Sequence, residues 1–280
     1  MTTQIDHIII AVRDLDRAAQ DYALLLGRAP SWRGGHPDYG SRNVLFRLDN
    51  IYLELLAPDG DGELAARLNA HLDAHGESLF GLVFGADDLD ALVENMRAGG
   101  VKVSDPVAGH GVDEAGGAMR HWRSAFWPTE AARGVFSFAI SHDDPDALPL
   151  APVEAEGAPD SIDHVVLRTA DAEAACAFYG ERLGIRLAQR MARPEWGGEF
   201  LFFRASHMSI EVIASEKNDA TRDSLWGLAL RTSDMAATHK RLEAAGVAVS
   251  EIRDGRKEGT KVCTVKSHCC DVPTLLITHS

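Results

Sequence analysis

The sequence contains few cysteines, and their positions do not suggest disulfide bonds. Four cysteines occur among 280 residues, and they lack both the paired spacing of a disulfide framework and the CxxC spacing of a zinc site: Cys176, Cys263, Cys269 and Cys270. No apolar run approaches the ~20 residues that span a membrane. The first residues show no basic region followed by an apolar one. We therefore expect a cytoplasmic protein that is neither exported nor anchored.

Positive charge is also scarce, with 28 Lys and Arg residues against 42 Asp and Glu residues and a formal net charge of −14. Nucleic acid and anionic membrane surfaces both need a basic face, so neither is an expected partner. No glycine-rich phosphate loop, nucleophile elbow or HExxH motif is present. A small molecule is the expected partner, and the sequence leaves open whether the chain forms a homodimer.

The chain repeats itself at a shift of 157 positions (164 − 7), which identifies an internal duplication. The identical residues that the shift aligns include Ile5 with Ile162, Asp6 with Asp163, His7 with His164, Tyr22 with Tyr179, Gly27 with Gly184, Phe46 with Phe203 and Glu54 with Glu211. Each copy is predicted to be a strand, an amphipathic helix ending at glycine and three more strands. In the first copy these elements are predicted at 5–12, 15–26, 29–34, 43–48 and 51–56.

A second unit follows each copy, at a shift of 146 positions (227 − 81) that aligns Gly81 with Gly227 and Asp88 with Asp234. Its predicted elements are strands at 80–84, 101–104, 119–127 and 135–140, a helix at 88–99 and a glycine-rich loop at 109–117. The segment 143–160 is rich in Pro, Ala, Asp and Glu and has the composition of an exposed linker. These patterns predict an α+β protein with four βαβββ modules, in domains 1–142 and 161–280.

Each first unit places a histidine in its first strand and a glutamate in its last strand. Both side chains can point inward to a metal ion if the strands curl round one cleft. Neutral imidazole and carboxylate suit Zn²⁺, Fe²⁺, Mn²⁺, Ni²⁺ or Co²⁺, and the sequence does not choose among them. Glu54 and Glu211 are flanked by apolar residues, where a carboxylate is costly unless a cation or hydrogen bonds compensate it.

These residues resemble the vicinal oxygen chelate superfamily, which includes glyoxalase I, extradiol dioxygenases, methylmalonyl-CoA epimerase and the fosfomycin and bleomycin resistance proteins. The resemblance rests on the βαβββ unit with Asp-His near its start and aliphatic-Glu-aliphatic in its final strand. The stretch 36–43 followed by Tyr52-Leu53-Glu54 is similar to the glyoxalase-like subfamily. The resemblance implies a divalent metal that binds a substrate through neighbouring oxygens, with His7, Glu54, His164 and Glu211 as ligands.

Further roles follow for several polar and aromatic residues. Glu54 or Glu211 could also act as the proton-transferring base. His36, Arg42 and Asn43 lie where the third strand begins and are candidates for orienting an anionic or carbonyl-bearing substrate. Trp122 belongs to an aromatic cluster that would suit an aromatic substrate.

The second units depart from the family pattern, because Gly81 and Gly227 stand where it has histidine and no carboxylate stands in their last strands. One solution pairs the two first units across the linker, so that all four ligands share one site. The other places a metal in one half with a third ligand from elsewhere, the available imidazoles being His142, His268 and His279. The second half is slightly favoured, since His207 and His268 add metal-compatible groups there.

The expected function is a metal-dependent lyase, isomerase or ring-cleaving enzyme acting on a small molecule with adjacent oxygens. One alternative is a protein that binds a small molecule or antibiotic without a metal and without turnover, which the missing ligands favour. The second alternative is an extradiol dioxygenase. It ranks lower because Gly227 replaces an expected iron ligand.

Overall fold

The computed structural model describes residues 3–279 and contains two eight-stranded sheets, one in each half of the chain. In the first half, eight strands form a closed barrel in the order β1-β4-β3-β2-β6-β7-β8-β5. These are β1 (Thr3–Ala11), β2 (Trp32–His36), β3 (Ser41–Arg47), β4 (Tyr52–Pro58), β5 (Ser78–Ala86), β6 (Val107–Asp113), β7 (Met119–Phe126) and β8 (Phe136–His142). Consecutive modules thus share one sheet, as the predicted tandem α+β arrangement requires.

In the second half, eight strands form an open sheet in the order β10-β11-β12-β9-β13-β16-β15-β14. These are β9 (Ser161–Thr169), β10 (Arg186–Arg193), β11 (Gly198–Ala205), β12 (Met208–Ala214), β13 (Ser224–Arg231), β14 (Arg253–Asp254), β15 (Thr260–Val265) and β16 (Thr274–His279). Because each sheet is built from consecutive modules, the alternative that pairs the two first units across the linker is wrong.

Each module starts its helix in the same way, with an aspartate that follows the first strand. The carboxylates of Asp14, Asp88, Asp171 and Asp234 each accept a hydrogen bond from the backbone N–H three residues later, which satisfies one donor that the first helical turn leaves free. The helices are α1 (Leu15–Leu26), α2 (Glu63–His75), α3 (Leu89–Ala98), α4 (Ala172–Ala175), which continues as a π-helix at Cys176–Arg182, and α5 (Met235–Ala244). None of these helices in residues 3–279 has the length and apolar character needed to cross a membrane.

The helices of the two halves pack against one another and form one continuous hydrophobic core. The Tyr22 hydroxyl of α1 donates to the backbone carbonyl of Cys269, and Arg241 of α5 donates to the carbonyls at the end of α1. Phe84 and Tyr179 bring rings from the two halves to 6.3 Å. The two halves therefore share one hydrophobic core, to which both helices and strands contribute.

The predicted strand at 101–104 and loop at 109–117 are wrong, because β6 runs through Gly109 and Gly111 instead. The indole of Trp122 on the neighbouring strand lies against these glycines. A Cβ on Gly109 would lie 2.5 Å from the Trp122 Nε1 atom. The glycines that looked like a loop in the sequence make room for a large side chain on the sheet.

The segment 143–160 joins the two halves and is mostly exposed, as its composition predicts, but a few of its residues are anchored to the first barrel. Leu148 and Ala151 are buried, and Leu148 packs with Trp32, Leu45 and Tyr52 at one end of the barrel. The backbone N–H of Ala151 donates to the carbonyl of Arg47. The segment closes the barrel end because a leucine in a polar stretch still gains from burial against aromatic rings. The division into domains 1–142 and 161–280 stays a prediction.

Replacing Leu148 with alanine is expected to lower the free energy of unfolding by about 2–4 kcal/mol, since a buried leucine side chain is lost and a cavity remains. Leu150, two residues later, is 54% exposed, so Leu150→Ala provides the matched control and should change stability by less than about 0.5 kcal/mol. Urea unfolding of both variants measures the difference. Equal effects would show that the segment does not close the barrel.

The close approach of two backbone strands, β2 and β6, explains why the sheet of the first half closes into a barrel and that of the second half does not. β2 pairs with β6 through Gly34 and Gly35, and a Cβ on Gly34 would lie 2.2 Å from the carbonyl oxygen of Val112. The shift of 157 positions aligns Gly34 with Met191 and Gly35 with Ala192. Side chains at these positions prevent the same approach in the second half, where β10 and β14 remain unpaired edges.

Candidate active site

The interior of the first barrel holds a cavity of about 370 Å³, within the range of small-molecule sites. Helix α2 contributes Leu64 and Arg67 to its wall, and Leu45 and Tyr52, which pack in the same cluster as Leu148, line it as well. Aromatic and histidine side chains supply much of the lining, and they are His7, His36, Tyr39, Tyr52, Trp122, Phe126, Trp127, Phe136, Phe138 and His142. The cavity therefore combines an apolar body with a few buried polar groups.

His7 and Glu54 meet in this cavity because β1 and β4 are neighbouring parallel strands. The His7 Nε2 atom lies 3.3 Å from the Glu54 Oε2 atom, and both side chains are at least 94% buried. Tyr52 stacks on the imidazole of His7 at 4.4 Å with an interplanar angle of 18°. The stack and the carboxylate hold the imidazole in one orientation.

Asp6 extends this pair into a chain of four groups. The His7 Nδ1 atom lies 2.6 Å from Asp6 Oδ1, and His142 Nε2 lies 3.2 Å from Asp6 Oδ2. The register of β1 against β5 skips Asp6, and such a bulge re-aims the side chain. The result is a buried His142–Asp6–His7–Glu54 chain.

The pKa values in this chain follow from burial and hydrogen bonding together. Burial alone would raise the pKa of Asp6, but its hydrogen bonds with His142 and His7 outweigh burial and hold that pKa far below its ordinary value. Burial would lower the pKa of His7, yet the hydrogen bonds to Asp6 and Glu54 raise it. Burial of Glu54 is likewise outweighed, mainly by His7, and its pKa falls to about 2. These shifts favour an imidazolium at His7 between two carboxylates.

Asn43 and His36 complete the polar wall. The Asn43 Nδ2 atom donates to Glu54 Oε1 at 2.7 Å and lies 3.5 Å from His36 Nε2. Burial lowers the pKa of His36, so this imidazole is neutral. The hydrogen bond from Asn43 occupies one oxygen of Glu54 and leaves Oε2 directed at His7 and the cavity.

Asp6→Asn is expected to lower the pKa of His7 by about one unit or more, because a nearby carboxylate raises an imidazole pKa by that amount. A raised pKa means that His7 contributes stability in full below pH 6.5 and loses it as pH rises through the folded-state pKa. NMR titration of labelled histidine rings measures this shift. Asp163→Asn is the matched control, and an unchanged His7 titration in Asp6→Asn would contradict the assignment.

The second half keeps the same chain of four groups. His164 Nδ1 lies 2.7 Å from Asp163 Oδ1, His279 Nε2 lies 2.6 Å from Asp163 Oδ2, and His164 Nε2 lies 3.4 Å from Glu211 Oε2. This copy is on the open sheet, and burial raises the pKa of Glu211 because the charges of His164 and Arg256 do not offset it. The two glutamates therefore have pKa values shifted in opposite directions.

The second half also lacks the groups that surround the pair in the first half. At the shift of 157 positions the substitutions are His36 to Arg193, Asn43 to Phe200 and Tyr52 to Ser209. His268, which was expected to support a site there, has its Nε2 atom 4.0 Å from Asp21 of α1. The geometry thus favours the first half, contrary to the slight preference from the sequence.

The sequence-predicted site residues divide into two groups. His7, His36, Asn43, Glu54 and Trp122 all line the first cavity, whereas His164 and Glu211 lie together in the second half. Arg42 lies outside this cavity, 3.6 Å from Asp59, with its side chain 48% exposed. The reason is strand alternation, since Asn43 points inward and its neighbour must point outward.

The polar residues that line the cavity and that sequence reasoning missed include Arg120 and Ser124. Both lie on β7, where every second residue faces the barrel interior, so Arg120, Trp122, Ser124 and Phe126 share one face. The alternation was visible in the predicted strand 119–127. The sequence-based prediction used only the aromatic residues of that face.

The metal centre inferred from the family does not have a full set of protein ligands. Within residues 3–279 no three His, Cys, Asp or Glu side chains converge closely enough to hold a metal ion, while catalytic zinc sites use three. His7 with Glu54 and His164 with Glu211 lie in different sheets, so the four do not share one site, and metal binding by either pair stays a prediction. His7 and Glu54 are two potential ligands bonded to each other, and Asn43 presents its N–H to Glu54. The residues present do not fit a preformed metal site.

Comparisons with known proteins agree with the fold. The family described as "Glyoxalase-like domain" matches residues 5–159, and the family described as "Glyoxalase/Bleomycin resistance protein/Dioxygenase superfamily" matches residues 163–264. An ethylmalonyl-CoA/methylmalonyl-CoA epimerase of Cereibacter sphaeroides is 29% identical over 103 residues, which are 37% of this chain and 75% of that protein.

Two solved structures resemble the whole chain in fold. A hypothetical protein from Staphylococcus aureus has a TM-score of 0.67 and 10% identity and covers 99% of both chains. A mutant 4-hydroxymandelate synthase from Streptomyces coelicolor has a TM-score of 0.69 and 14% identity, covering 100% of this chain and 93% of its own. The chain belongs to the glyoxalase-like domain family of the vicinal oxygen chelate superfamily, as its sequence predicted.

Proposed function

We propose that the protein is an enzyme whose active site is the first barrel and which moves a proton at a carbon next to an oxygen-bearing group. The observation that carries this proposal is the buried His7–Glu54 pair, which faces a small cavity from the middle of the barrel wall. Relatives that are enzymes, including an epimerase, support an enzymatic role. We place the protein in the cytoplasm and expect a small organic substrate.

The chemistry uses the opposite charges of the pair. The imidazolium of His7 donates its Nε2 proton to a carbonyl oxygen of the substrate, and Glu54 Oε2 accepts the proton from the adjacent carbon. Asn43 holds the other oxygen of Glu54 in place. As the His7 proton moves toward the substrate, the charge that stabilises the Glu54 carboxylate falls, so Glu54 becomes a stronger base when it is needed.

The flanking groups keep this arrangement ready. Asp6 fixes the orientation of His7 and holds its proton, and the aromatic wall excludes water from the ion pair, which strengthens it. Such a site suits an isomerase or a lyase, the classes expected from the sequence. Within the described residues no third protein ligand for iron joins the pair. We therefore rank the extradiol dioxygenase below the isomerase and the lyase.

Deuterium exchange tests the proposal directly. Small ketones, 2-oxo acids and acyl thioesters are incubated with the protein in D₂O, and loss of the C–H signal next to the carbonyl is followed by NMR. Exchange of at least one of these probes well above the buffer rate is expected. Saturable binding without exchange of any probe would assign the protein instead to the class that binds a small molecule without turnover.

The divalent metal inferred from the family is tested by the same assay. Since no three His, Cys, Asp or Glu side chains of residues 3–279 converge to hold a metal, removal of metals with a chelator is expected to leave the exchange rate within about twofold of its starting value. Elemental analysis before and after treatment is the control. A loss of activity that Zn²⁺, Fe²⁺, Mn²⁺, Ni²⁺ or Co²⁺ restores would reinstate the metal-dependent mechanism.

A further inference from the structure

We propose that the substrate of this site carries a carboxylate or an equivalent anion and that Arg120 binds it, which rests on the proposed function of the same cavity. Arg120 lines the cavity with only 8% of its surface exposed. Within residues 3–279 no carboxylate lies within ion-pair distance of its guanidinium. Burying a cation without a nearby anion costs free energy. An anionic group on the ligand would offset that cost by pairing with the Arg120 guanidinium.

The surroundings of Arg120 prepare it for a planar anion. Its guanidinium carbon lies over the rings of Trp32 and Tyr52, at 5.8 Å and 5.5 Å from their centroids. One side-chain hydrogen bond joins Arg120 to Tyr52, and the other N–H groups at the edge of the guanidinium can match a carboxylate with two parallel hydrogen bonds. The rings of Trp32 and Tyr52 thus position the Arg120 guanidinium without supplying a negative charge to neutralise it.

Tyr52 connects this anion site to the reacting pair. The same tyrosine ring stacks on His7 at 4.4 Å and lies beneath Arg120. One small molecule can therefore reach from Arg120 to the His7–Glu54 pair. The carboxylate end would be held at Arg120 while the reacting carbon lies near Glu54.

Two more cavity-lining groups lack partners, and they argue independently for a polar ligand. The Ser124 Oγ and Asn43 Oδ1 atoms are buried without hydrogen bonds, and each residue is 3% exposed. Both residues line the cavity. Buried polar atoms are normally satisfied, so the ligand is expected to supply hydrogen bonds at both. The lining also includes Trp122, Phe126 and Phe138, which suit a flat apolar body.

Binding of simple arylalkanoates tests the inference. Phenylacetate, 3-phenylpropanoate and 4-phenylbutanoate span different distances between ring and carboxylate, and their neutral amides are the matched ligands. We expect at least one acid to bind about tenfold more tightly than its amide, the advantage of a hydrogen-bonded charge pair. Ligand-detected NMR titration measures both dissociation constants.

Variants of arginine locate the effect. Arg120→Met is expected to remove the preference for the acid, and Arg120→Lys to keep part of it. Arg168→Met is the matched control, because Arg168 lies over the Trp226 ring at 4.3 Å in the second half, and it should bind like the parent. Circular dichroism and the melting temperature check that each variant is folded.

The outcomes separate this inference from the proposed function. Equal binding of acids and amides, no binding of any acid, or an unchanged preference in Arg120→Met would overturn the anion site. Proton exchange that depends on Glu54 would still stand in those cases. If Arg120→Met removes the preference for the acid but no substrate exchanges its proton, the anion site would stand. The proton-transfer function would then be contradicted.

Discussion

Glu54→Gln will lower the rate of proton exchange about a thousandfold, within the range that removal of a general base produces, whereas Glu211→Gln will leave it within twofold. Glutamine keeps the size of the side chain but cannot accept the proton from carbon. Its amide oxygen can still accept the hydrogen bond from Asn43, and its amide N–H can donate to His7 Nε2 when that imidazole is neutral, so the barrel should remain folded. Substrate binding is expected to change much less than the rate.

The duplication makes Glu211 an internal control for this experiment. Both glutamates lie on equivalent strands beside an equivalent histidine, but Glu54 is the one that lines the cavity of the closed barrel. The proton-exchange rates of the two variants are measured by NMR in D₂O, under conditions in which both variants are equally stable. A large loss in Glu211→Gln with little effect in Glu54→Gln would move the active site to the second half.

Gly34→Ala will destabilise the protein by about 2–3 kcal/mol, the scale of a forced steric overlap. The added Cβ would lie 2.2 Å from the Val112 carbonyl oxygen and 2.6 Å from the Trp32 Nε1 atom. Because these atoms belong to the β2–β6 contact that closes the barrel, the cavity should open and binding of arylalkanoates should weaken. The second half, with Met191 at the aligned position, shows the open alternative.

Gly117→Ala is the matched control, since a Cβ on Gly117 would meet nothing within 4 Å. Its stability and ligand binding are expected to stay near those of the parent. Urea unfolding and NMR titration give both quantities for the two variants. Normal stability and binding in Gly34→Ala would show that close approach at Gly34 does not control closure.

Much of the fold was predictable because its signals are local and repeated. Helix α1 was predicted at 15–26 and occurs at Leu15–Leu26. Asp14 caps its start, and Gly27 ends it with a φ of +60°. The two wrong predictions, the strand at 101–104 and the loop at 109–117, fall where contacts with another strand determine the structure. Gly109, for example, is in a strand on which Trp122 packs.

The site was predictable in part for a related reason. His7 and Glu54 lie on strands whose order follows from the repeated module, so their contact could be expected from the pattern. The choice between the halves could not, because it depends on the close approach of Gly34 to a strand almost eighty residues later. The link from Asp6 to His142 joins residues at opposite ends of the first half and has no local signal.

Labelled histidine NMR during titration with phenylacetate, 3-phenylpropanoate and 4-phenylbutanoate tests the central claim most directly, because His7 and His164 report the two halves in one experiment. The account predicts that at least one of these acids shifts the ring signals of His7 in a saturable way and leaves those of His164 unchanged. Saturable shifts of His164 with an unchanged His7 would contradict the assignment of the active site to the first barrel.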